Sequence, residues 1–349
     1  MKDLRKLRVG IIGAGQIAQV AHIPGYLSRP NEVEIVALSD LIKEKADSVA
    51  SKYSIPHVFA DYREMLRQCE LDVVSVCTPN KFHAEATIAA LQAGAHVLCE
   101  KPPALTEEDA KMMADTAKER NKILTFNFHY RFSAEVEALK RIIDAGELGE
   151  IYAARVLALR RRGIPGWGVF TNKEIQGGGP LIDIGIHMLD TALYLMGDPE
   201  PELLMGVTHT RIGNRPGVGL MGSWDPEKFT VEDAAMGMIR FKNSASLVLE
   251  TSFALNMKEK SVMNVFLYGD RGGAELFPLS LHLEKGGYLM DTELPFLPDV
   301  NKYERSIHHF IDCCLYGRTP LVTPEQGLLV QRIINGLYDS AQSGMAVRF

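Results

Sequence analysis

The sequence predicts an α/β fold, because strand and helix signals alternate along its first third. Between residues 8 and 128, short apolar runs typical of buried strands are separated by segments of helical length and composition. Such alternation is typical of parallel strands that are joined by helical crossovers and covered on both faces. The first apolar run also ends in a glycine-rich turn that opens a helix, as in a doubly wound parallel sheet.

The elements of this first part follow from apolar runs, turn residues and helix signals. The predicted strands are Arg8–Ile12, Glu32–Leu38, His57–Phe59, Leu71–Cys77, His96–Cys99 and Lys122–Phe128. The predicted helices are Ile17–Leu27, Leu41–Lys52, Tyr62–Cys69, Phe82–Ala93 and Thr106–Asn121. Thr106 is the expected N-cap of the last helix, with Asp109 three positions further on as an imperfect capping box.

Length and charge limit the class of protein. A chain of 349 residues is too long for one ordinary core, so we expect two domains. The hydrophobic content of 46% and charged content of 23% are typical of a globular protein. The net charge is −6 and no block of five or six like charges occurs, which argues against nucleic acid and anionic membranes as partners. The densest basic run, Arg160–Arg162, could face one small anionic or polyol ligand.

The cysteines and the N-terminus point to a cytoplasmic protein. None of the five cysteines forms a C-x-x-C pair, so we interpret them as reduced, buried thiols. Basic residues from Lys2 to Arg8 could imitate a signal peptide, but Gly13 and Gly15 interrupt the apolar run that follows. No run of 18 apolar residues is present, so no membrane-spanning segment is expected.

The turn after the first strand has the form G-x-G-x-x-A, from Gly13 to Ala18. Gly13 permits a tight turn, Gly15 lets backbone amides approach a pyrophosphate, and Ala18 lets the helix pack closely on the strand. The pattern is weak alone. The alternation around it strengthens the hypothesis that this part binds a dinucleotide.

Asp40 follows the second strand, 25 residues after Gly15, where a ribose-binding acid is expected. A carboxylate accepts hydrogen bonds from ribose hydroxyls and repels a 2′-phosphate, and the next residue, Leu41, is not basic. We therefore expect NAD rather than NADP. The alternative is that Asp40 only caps the following helix, and the two roles can coexist.

Polar residues follow two further strands. Pro102 and Pro103 end the strand that delivers Glu100 and Lys101, because proline cannot donate to a sheet ladder. Open α/β sheets bind their ligands at this carboxyl edge. The stretch Thr78-Pro79-Asn80 ends another strand at the same edge and suits cofactor contacts, or is an ordinary turn. His83 could reach the cofactor or be a satisfied structural histidine.

The second domain contains an apolar helix with a polar stripe. Gly177-Gly178-Gly179-Pro180 opens this helix, which runs to Met196 and stops at Gly197. Asp183 and His187 are four residues apart and project from one face, and Asp190 extends the stripe. Buried ionisable groups are costly without partners, so the stripe needs a reason. A lone histidine here would more often be a core residue, but Asp183 and Lys101 favour catalysis.

Strand-like runs dominate the rest of the chain and fit an antiparallel sheet with hairpins. The predicted strands are Glu150–Leu159, Leu203–His209, Ala234–Phe241, Ser246–Phe253, Met263–Tyr268 and Ala274–Phe277. The predicted helices are Phe132–Ala145, Tyr303–Tyr316 and Pro324–Ser343. Gly213–Phe229, rich in glycine and proline, is expected to be a long loop.

These motifs together resemble those of one known family. Gly13-Ala14-Gly15, Thr78-Pro79-Asn80 with His83, Glu100-Lys101-Pro102, Gly177-Gly178-Gly179 and Asp183-Ile184-Gly185-Ile186-His187 occur in the family's order. The sequence is similar to the Gfo/Idh/MocA oxidoreductases, which include glucose–fructose oxidoreductase, inositol dehydrogenases and many sugar dehydrogenases. The combination of E-K-P with D-x-G-x-H is the specific part of the resemblance.

The resemblance implies a fold and an activity. It implies a Rossmann domain over residues 1–128, and over 129–349 a substrate-binding and oligomerisation domain of the α+β class with a large, mostly antiparallel, open-faced sheet. It implies NAD(P)-dependent hydride transfer at a secondary alcohol of a sugar, sugar derivative or inositol. It also suggests homodimers or homotetramers built through that sheet.

The last part of the prediction assigns roles to individual residues, and it includes no metal site. The predicted catalytic residues are Lys101, Asp183 and His187. The predicted cofactor-binding residues are Gly13, Gly15, Gln16, Ile17, Asp40, Thr78, Pro79, Asn80, His83, Glu100, Lys101 and Asn127. The predicted substrate-binding residues are Lys101, Tyr130, Arg160, Trp167, Asp183 and His187. Arginine can donate to sugar hydroxyls and Trp167 can stack on a sugar ring, although the loop Arg160–Phe170 could equally be ordinary surface.

In this hypothesis His187 is the general base and Lys101 stabilises the developing alkoxide. Asp183 binds a neighbouring hydroxyl or orients His187, and Glu100 positions Lys101 or contacts the cofactor. Two alternatives use the same scaffold: a non-catalytic NAD-binding sensor, and a redox-neutral, NAD-dependent glycosidase. A cation held by Asp183, His187 and Asp190 is a more distant alternative, since the nearby lysine would oppose it.

Overall fold

The computed structural model describes residues 5–349, so Lys2 of the basic N-terminal segment lies outside the described residues. The strands are β1 (Leu7–Ile12), β2 (Val33–Ser39), β3 (His57–Phe59), β4 (Val73–Val76), β5 (His96–Cys99), β6 (Leu124–Phe126), β7 (Ile151–Arg160), β8 (Pro201–His209), β9 (Ala234–Phe241), β10 (Ser246–Ser252), β11 (Ser261–Gly269), β12 (Gly272–Glu275), β13 (Ser280–Lys285), β14 (Tyr288–Glu293) and β15 (Val347–Arg348).

The α-helices are α1 (Ile23–Leu27), α2 (Lys43–Tyr53), α3 (Tyr62–Gln68), α4 (His83–Gln92), α5 (Glu107–Glu119), α6 (Ala134–Asp144), α7 (Lys173–Gln176), α8 (Ile186–Met196), α9 (Lys302–Tyr316) and α10 (Pro324–Ser343). Two π-helical turns, Ala18–His22 and Leu181–Gly185, directly precede α1 and α8. Short 3₁₀ turns cover Asn80–Phe82, His129–Phe132 and Pro226–Lys228. No helix among residues 5–349 is long and apolar enough to span a bilayer.

The chain forms two compact units. The first unit contains the residues up to His129 together with Asn301–Gln331, and the second contains Tyr130–Val300 together with Arg332–Phe349. The sequence prediction instead assigned every residue from 129 onwards to the second domain. His129 and the segment 301–331 therefore differ from that prediction.

The first unit is built on a parallel six-stranded sheet in the order β3-β2-β1-β4-β5-β6. Its central strands are predominantly apolar, as expected where helices cover both faces, and β4 is buried along its whole length. The strand order reverses between β1 and β4, which is the ligand-binding switch point of such sheets. The predicted doubly wound Rossmann sheet is therefore confirmed.

Helix α9 belongs to the first unit because its apolar side packs on α1. Ile307, Phe310 and Ile311 are buried in the same core as Ile23 and Tyr26. Gly25 of α1 allows this close approach, since a Cβ there would lie 2.8 Å from Ile307. The apolar periodicity of α9 predicts a buried face but does not say which neighbour covers that face, and the sequence prediction grouped α9 with the second domain.

The second unit is built on a nine-stranded sheet in the order β14-β13-β12-β11-β7-β10-β9-β8-β15. The β7–β10 pair is parallel, and the other pairs are antiparallel. Helix α8 is buried on one face of this sheet. The predicted mostly antiparallel sheet is confirmed.

Strands β13 and β14 were not predicted. They form a hairpin whose turn, Gly286-Gly287, has φ values of +63° and +81°, a conformation that glycine adopts readily. Every residue of β14 is exposed, so the strand needs no alternation of apolar and polar residues that would mark it in the sequence. The hairpin lies at an edge of the sheet, where few contacts constrain side-chain pattern.

Candidate active site

The glycine-rich turn after β1 has the geometry that a dinucleotide needs. Gly13 has φ +100°, and a Cβ there would lie 2.5 Å from the carbonyl oxygen of Cys77. The Gly13 amide donates to the carbonyl of Ser39 at 2.7 Å, which fixes the turn against β2. At Gly15, by contrast, the nearest atom to a Cβ is 3.9 Å away. The protein itself does not require glycine at position 15, so the open space there is available to a ligand.

Asp40 organises the same turn. Its Oδ2 accepts from the Ala14 amide at 2.8 Å, and its Oδ1 accepts from the Ile42 amide at 3.0 Å. The alternative prediction, an N-cap of the next helix, is not what the structure shows, because α2 begins at Lys43 with Ile42 as its N-cap. Lys45 Nζ lies 3.2 Å from Asp40 Oδ2. A cation near the carboxylate is a feature that the sequence argument, which considered only Leu41, did not include.

The loops after β4 and β5 are tied together by His83. One ring nitrogen, Nδ1, lies 2.7 Å from the Pro102 carbonyl oxygen, and Nε2 lies 2.9 Å from the Thr78 carbonyl oxygen. Burial lowers the pKa of His83, while these two carbonyls oppose the shift. Both ring nitrogens face the protein, so His83 acts on the cofactor side of the sheet by positioning two loops. Its predicted direct contact with the cofactor stays a prediction.

Glu100 is a buried anion with several partners. It is 5% exposed, and its Oε1 lies 2.9 Å from His22 Nε2 and 2.6 Å from Asn127 Nδ2. Burial would raise the pKa of Glu100, but the hydrogen bonds from His22 and Asn127 lower it to about 2. Glu100 Oε2 accepts from the Lys101 amide at 3.3 Å. Glu100 thus contacts the backbone of Lys101, and both roles predicted for Glu100, lysine positioning and cofactor contact, stay predictions.

Asn127 and His22 complete this network. Asn127 is fully buried, and its Oδ1 accepts from the Ser306 hydroxyl of α9 at 2.7 Å. His22 Nδ1 lies 2.9 Å from the Ser75 hydroxyl, so the imidazole links β4 to Glu100. The sequence analysis missed His22. Its position at the end of the helical turn that follows the glycine motif was the available signal.

The remaining predicted cofactor residues lie on the carboxyl side of the sheet. Gln16 is exposed, Ile17 is partly buried at the helix start, and Pro79 is exposed beside the partly buried Asn80. Lys101, directly after β5, is partly exposed. Each therefore follows a strand or opens a helix at the edge where the sequence predicted the nucleotide.

In the second unit, Asp183 and His187 lie on consecutive helical turns. Asp183 is in the π-helical turn and is partly exposed, and His187 is in the first turn of α8 and is 8% exposed. The ring of Tyr130 lies 5.3 Å from the His187 ring and 6.1 Å from the Phe277 ring, centroid to centroid. Burial raises the pKa of Tyr130, and Arg160 opposes this shift. Tyr130 is therefore a neighbour of both His187 and Arg160, and the substrate-binding role of these residues stays a prediction.

Asp190, which extends the predicted polar stripe by three residues, is held in a buried ion pair. It is completely buried, and its two oxygens accept from Arg131 at 3.0 Å and 2.7 Å in a bidentate pair. Burial raises the pKa of Asp190 to about 6, although Arg131 opposes the shift. The Arg131 guanidinium also lies 4.7 Å from the Tyr194 ring centroid. The distant alternative of a cation on Asp183, His187 and Asp190 loses its third ligand to Arg131.

Arg160 and Trp167 occupy different environments. Arg160 Nη1 donates to the Gly163 carbonyl at 3.3 Å, and its guanidinium lies 5.8 Å from the Phe253 ring centroid. Trp167 is 45% exposed and meets the Phe170 ring edge-on at 6.3 Å. An aromatic side chain this exposed leaves a face for a ligand. The two predicted roles of this loop, sugar binding and ordinary surface, both remain compatible with these contacts.

The residues of the first unit fit a nicotinamide dinucleotide. The hydroxyls of Thr78 and Ser39 are buried at the carboxyl edge without a hydrogen-bond partner among the described residues. Buried polar atoms of this kind are costly unless a ligand or water satisfies them. The open space above Gly15 is where a pyrophosphate would approach the backbone. Gly15, Asp40 and Thr78 are therefore the residues that would hold the cofactor.

A Rossmann sheet with this glycine turn and a second unit with a buried histidine define a dinucleotide-dependent oxidoreductase. The chain belongs to the Gfo/Idh/MocA family. The family model described as "Oxidoreductase family, NAD-binding Rossmann fold" matches residues 7–128. The model described as "Oxidoreductase family, C-terminal alpha/beta domain" matches residues 140–349.

Individual relatives agree with this class. The chain is 46% identical over 341 residues to a D-glucoside 3-dehydrogenase of Escherichia coli, covering 98% of this chain and 97% of the relative. It is 32% identical over 334 residues to a 1,5-anhydro-D-fructose reductase of Ensifer adhaerens, covering 92% of each. A levoglucosan dehydrogenase solved with NADH and levoglucosan has a TM-score of 0.85 at 26% identity, covering 99% of each chain.

The family and its members establish the general activity. The chain is an NAD(P)-dependent dehydrogenase of the sugar dehydrogenase type, which acts on CH–OH groups and binds its cofactor in the Rossmann domain. The predicted family is thus confirmed.

Proposed function

We propose that the protein oxidises a secondary hydroxyl of a sugar with NAD, and that the preferred substrate is a D-glucoside oxidised at its 3-hydroxyl. One observation carries the choice of substrate, the 46% identity to a D-glucoside 3-dehydrogenase across nearly the whole chain. The wider class of the proposal covers sugars, sugar derivatives and inositols. In this class the reactive group is always a secondary alcohol with hydroxyl neighbours.

NAD is the proposed cofactor because Asp40 presents a carboxylate at the end of β2. Its partners, the amides of Ala14 and Ile42, hold that carboxylate beside the glycine turn. A fixed negative charge there accepts from ribose hydroxyls and repels a 2′-phosphate. Lys45 reduces this repulsion in part, so we expect a preference for NAD rather than complete exclusion of NADP.

The proposed chemistry removes two hydrogens from one CH–OH group, the carbon-bound one as a hydride and the oxygen-bound one as a proton, and gives them to different acceptors. When bound, the nicotinamide supplies the hydride acceptor. His187 takes the hydroxyl proton as general base, since a histidine suits proton transfer near neutral pH. Lys101 donates a hydrogen bond to the same oxygen and stabilises the negative charge that develops on it. In the reductive direction His187 returns the proton.

Three further residues are proposed to place the substrate. Asp183, one turn before His187, accepts from a neighbouring hydroxyl or orients the imidazole. Tyr130, whose ring lies against His187, and Arg160 donate to other hydroxyls. Trp167 offers its exposed indole face to the C–H surface of the sugar ring. Glu100 is proposed to position Lys101 through the Lys101 amide.

The proposal includes a homodimer or homotetramer formed through the open face of the nine-stranded sheet. Met205, Val207, Met236, Met238 and Val248 are each at least 40% exposed on neighbouring strands. An exposed apolar cluster of this kind is typical of a protein–protein interface.

The five cysteines are free thiols, which supports a proposed location in the reducing cytoplasm.

The test is an absorbance assay for NADH with NAD or NADP, across alkyl and aryl D-glucosides, free aldoses, sugar acids and inositols. We expect reduction of NAD by a D-glucoside, with a 3-keto product visible by NMR. Release of the aglycone without net NADH would favour the redox-neutral glycosidase instead. NAD binding with no turnover of any substrate would favour a sensor and remove the dehydrogenase proposal.

A further inference from the structure

Glu232, just before β9, holds the beginning of the segment that carries Asp183 and His187. It is 7% exposed, and its Oε2 accepts from the Gly179 amide at 2.9 Å. Its Oε1 accepts from the Leu181 amide at 3.1 Å and from the Tyr338 hydroxyl of α10 at 2.9 Å. One buried carboxylate therefore receives three hydrogen bonds.

Two of the three consecutive glycines of this segment, Gly178 and Gly179, are explained by the same contact. Gly177 has φ +83° and ends α7. A Cβ at Gly178 would lie 2.0 Å from the Tyr338 hydroxyl oxygen, and a Cβ at Gly179 would lie 2.2 Å from the Glu232 carbonyl oxygen. The backbone approaches Glu232 and Tyr338 more closely than any side chain at these two positions would allow. The glycine motif thus serves the approach of this backbone to the carboxylate.

The contact gives hydrogen-bond acceptors to the first backbone amides of a helix. The first amides of a helix have no partner within the helix, and a carboxylate placed there is stabilised by the helix dipole. Here the amides belong to the entry into Leu181–Gly185, the turn that contains Asp183, and α8 with His187 follows without a break. A shift of this start would move both predicted site residues together.

We propose that Glu232 is a positioning residue for the reaction, and that its ionised carboxylate, supported by Tyr338, holds Asp183 and His187 in their productive places. This inference rests on the proposed function, because it assigns Glu232 an effect through those two residues. Protonation of Glu232 turns one acceptor oxygen into a donor that faces an amide or a hydroxyl. The helix start is then released and turnover falls.

The surroundings of Glu232 make it sensitive to the loss of one hydrogen bond. The amides of Gly179 and Leu181 and the Tyr338 hydroxyl face its carboxylate, while the carboxylate of Asp233 turns towards the amides of residues 211–213. From β10, the uncharged Thr251 donates to the Pro180 carbonyl. Burial raises the pKa of Glu232, and the hydrogen bonds from the two amides and Tyr338 oppose that rise. Removing the Tyr338 hydroxyl removes one of these hydrogen bonds, so burial then raises the pKa of Glu232 further.

The first experiment uses Tyr338→Phe in the full chain and measures kcat against pH. We expect the acid limb of kcat to move upward by about one pH unit, since a hydrogen bond to a charged acceptor shifts a carboxyl pKa on that scale. Turnover on the alkaline side of the limb and the Kd for NAD should stay within about twofold, because the amides of Gly179 and Leu181 still donate to Glu232 and the cofactor site is in the first unit. Tyr316→Phe, at an exposed tyrosine, is the matched control and should leave the limb unchanged.

The second experiment uses Glu232→Gln, which imitates the neutral carboxyl group. We expect kcat to fall at least tenfold at every pH with little change in the Kd for NAD, and Tyr338→Phe to have no further effect on pH dependence in this background. An unchanged acid limb in Tyr338→Phe overturns the inference, and so does a loss of kcat and stability in Tyr338→Phe that is the same at all pH values. His187→Ala separates the two proposals. Normal turnover in His187→Ala removes the proposed function. Low turnover in His187→Ala, together with an unmoved acid limb in Tyr338→Phe, removes only the role of Glu232.

Discussion

The roles proposed for His187 and Lys101 depend on the surroundings that each residue has in its own unit. Lys101 follows β5 directly, and its amide is fixed by Glu100, whose carboxylate is itself held by His22 and Asn127. His187 opens α8 with the Tyr130 ring against it. A general base and an oxyanion donor need fixed positions more than unusual pKa values. Each residue therefore has the support that its proposed role demands.

The first prediction concerns these two residues. His187→Ala is expected to lower kcat by about 10²–10⁴-fold through loss of the general base. Lys101→Ala is expected to lower kcat by about 10²–10³-fold through loss of alkoxide stabilisation. Steady-state kinetics measures both losses, and NAD titration should show binding within about twofold of the wild type. The controls are His209→Ala and Lys118→Ala, at exposed positions. Near-normal turnover in either site variant would remove that residue from the mechanism.

The second prediction concerns the charge of Asp40. Asp40→Asn keeps an oxygen that accepts from the Ala14 amide, so the glycine turn should stay in place. The negative charge is lost, and Lys45 then has no carboxylate beside it at the proposed ribose site. We expect the ratio of kcat/KM for NADP to that for NAD to rise about 10- to 100-fold. Asp47→Asn, in an exposed pair with Lys43, is the control. An unchanged ratio would show that Asp40 only organises the turn.

The turn after β1 allows a matched comparison of two glycines. Gly13→Ala places a Cβ 2.5 Å from the Cys77 carbonyl oxygen at a residue with φ +100°, so we expect a clear fall in melting temperature. Gly15→Ala meets no atom closer than 3.9 Å, so the fold should be preserved. The same methyl group occupies the space proposed for the pyrophosphate, so NAD binding should weaken at least about tenfold.

Thermal melting and NAD titration of both glycine variants make this comparison. The proposed cofactor site requires the second variant to melt like the wild type and yet bind NAD poorly. Normal NAD binding by Gly15→Ala would place the cofactor elsewhere.

The next prediction concerns the buried ion pair of Arg131 and Asp190 in the second unit. Both side chains are fully buried, so removing one partner leaves a buried charge without compensation. Asp190→Asn is expected to lower the free energy of unfolding by about 3–5 kcal/mol, measured by urea denaturation. The double variant Arg131→Met with Asp190→Leu removes both charges and should regain most of that loss. Glu250→Gln, in the more exposed pair with Arg155, should cost less than about 1 kcal/mol. Equal losses in Asp190→Asn and Glu250→Gln would contradict this account.

The sequence was informative where one local pattern decides the structure. Apolar runs followed by prolines or glycines define the ends of β4 and β5, and parallel strands share one carboxyl edge, so Thr78 and Lys101 could be assigned to that edge. Helical spacing likewise placed Asp183 and His187 on neighbouring turns.

Partners that are distant in the sequence could not be assigned in this way. Asp190 has the correct spacing for the polar stripe, but its partner Arg131 lies 59 residues away and donates hydrogen bonds to both of its carboxylate oxygens. Glu232 lies 53 residues from Gly179, and α9 joins a core formed by residues almost 300 positions earlier. Periodicity predicts which face is buried, whereas tertiary packing decides what covers it.

At the scale of the whole molecule, the open face of the second sheet is the feature that the single chain leaves unexplained. Met205 pairs across strands with Met238, Met238 with Val248, and Val207 with Met236, so the exposed apolar side chains form one continuous cluster. Each of them is 40–54% exposed. On the opposite face, Leu337 of α10 packs against Gly206 of β8 and Gly237 of β9. Contiguous apolar surface of this kind is costly in water and is typical of an interface between subunits.

The final prediction tests this face directly by light scattering coupled to size-exclusion chromatography. The wild type is expected to have the mass of a dimer or tetramer at micromolar concentration. Met238→Glu places a carboxylate in the middle of the cluster, and burying it in an interface without a partner should weaken association at least about 100-fold, giving a smaller species. Leu289→Glu, at a residue 90% exposed on β14 and outside the cluster, is the control and should leave the mass unchanged. A wild-type monomer, or a Met238→Glu variant of unchanged mass, would mean that this face is not the subunit interface.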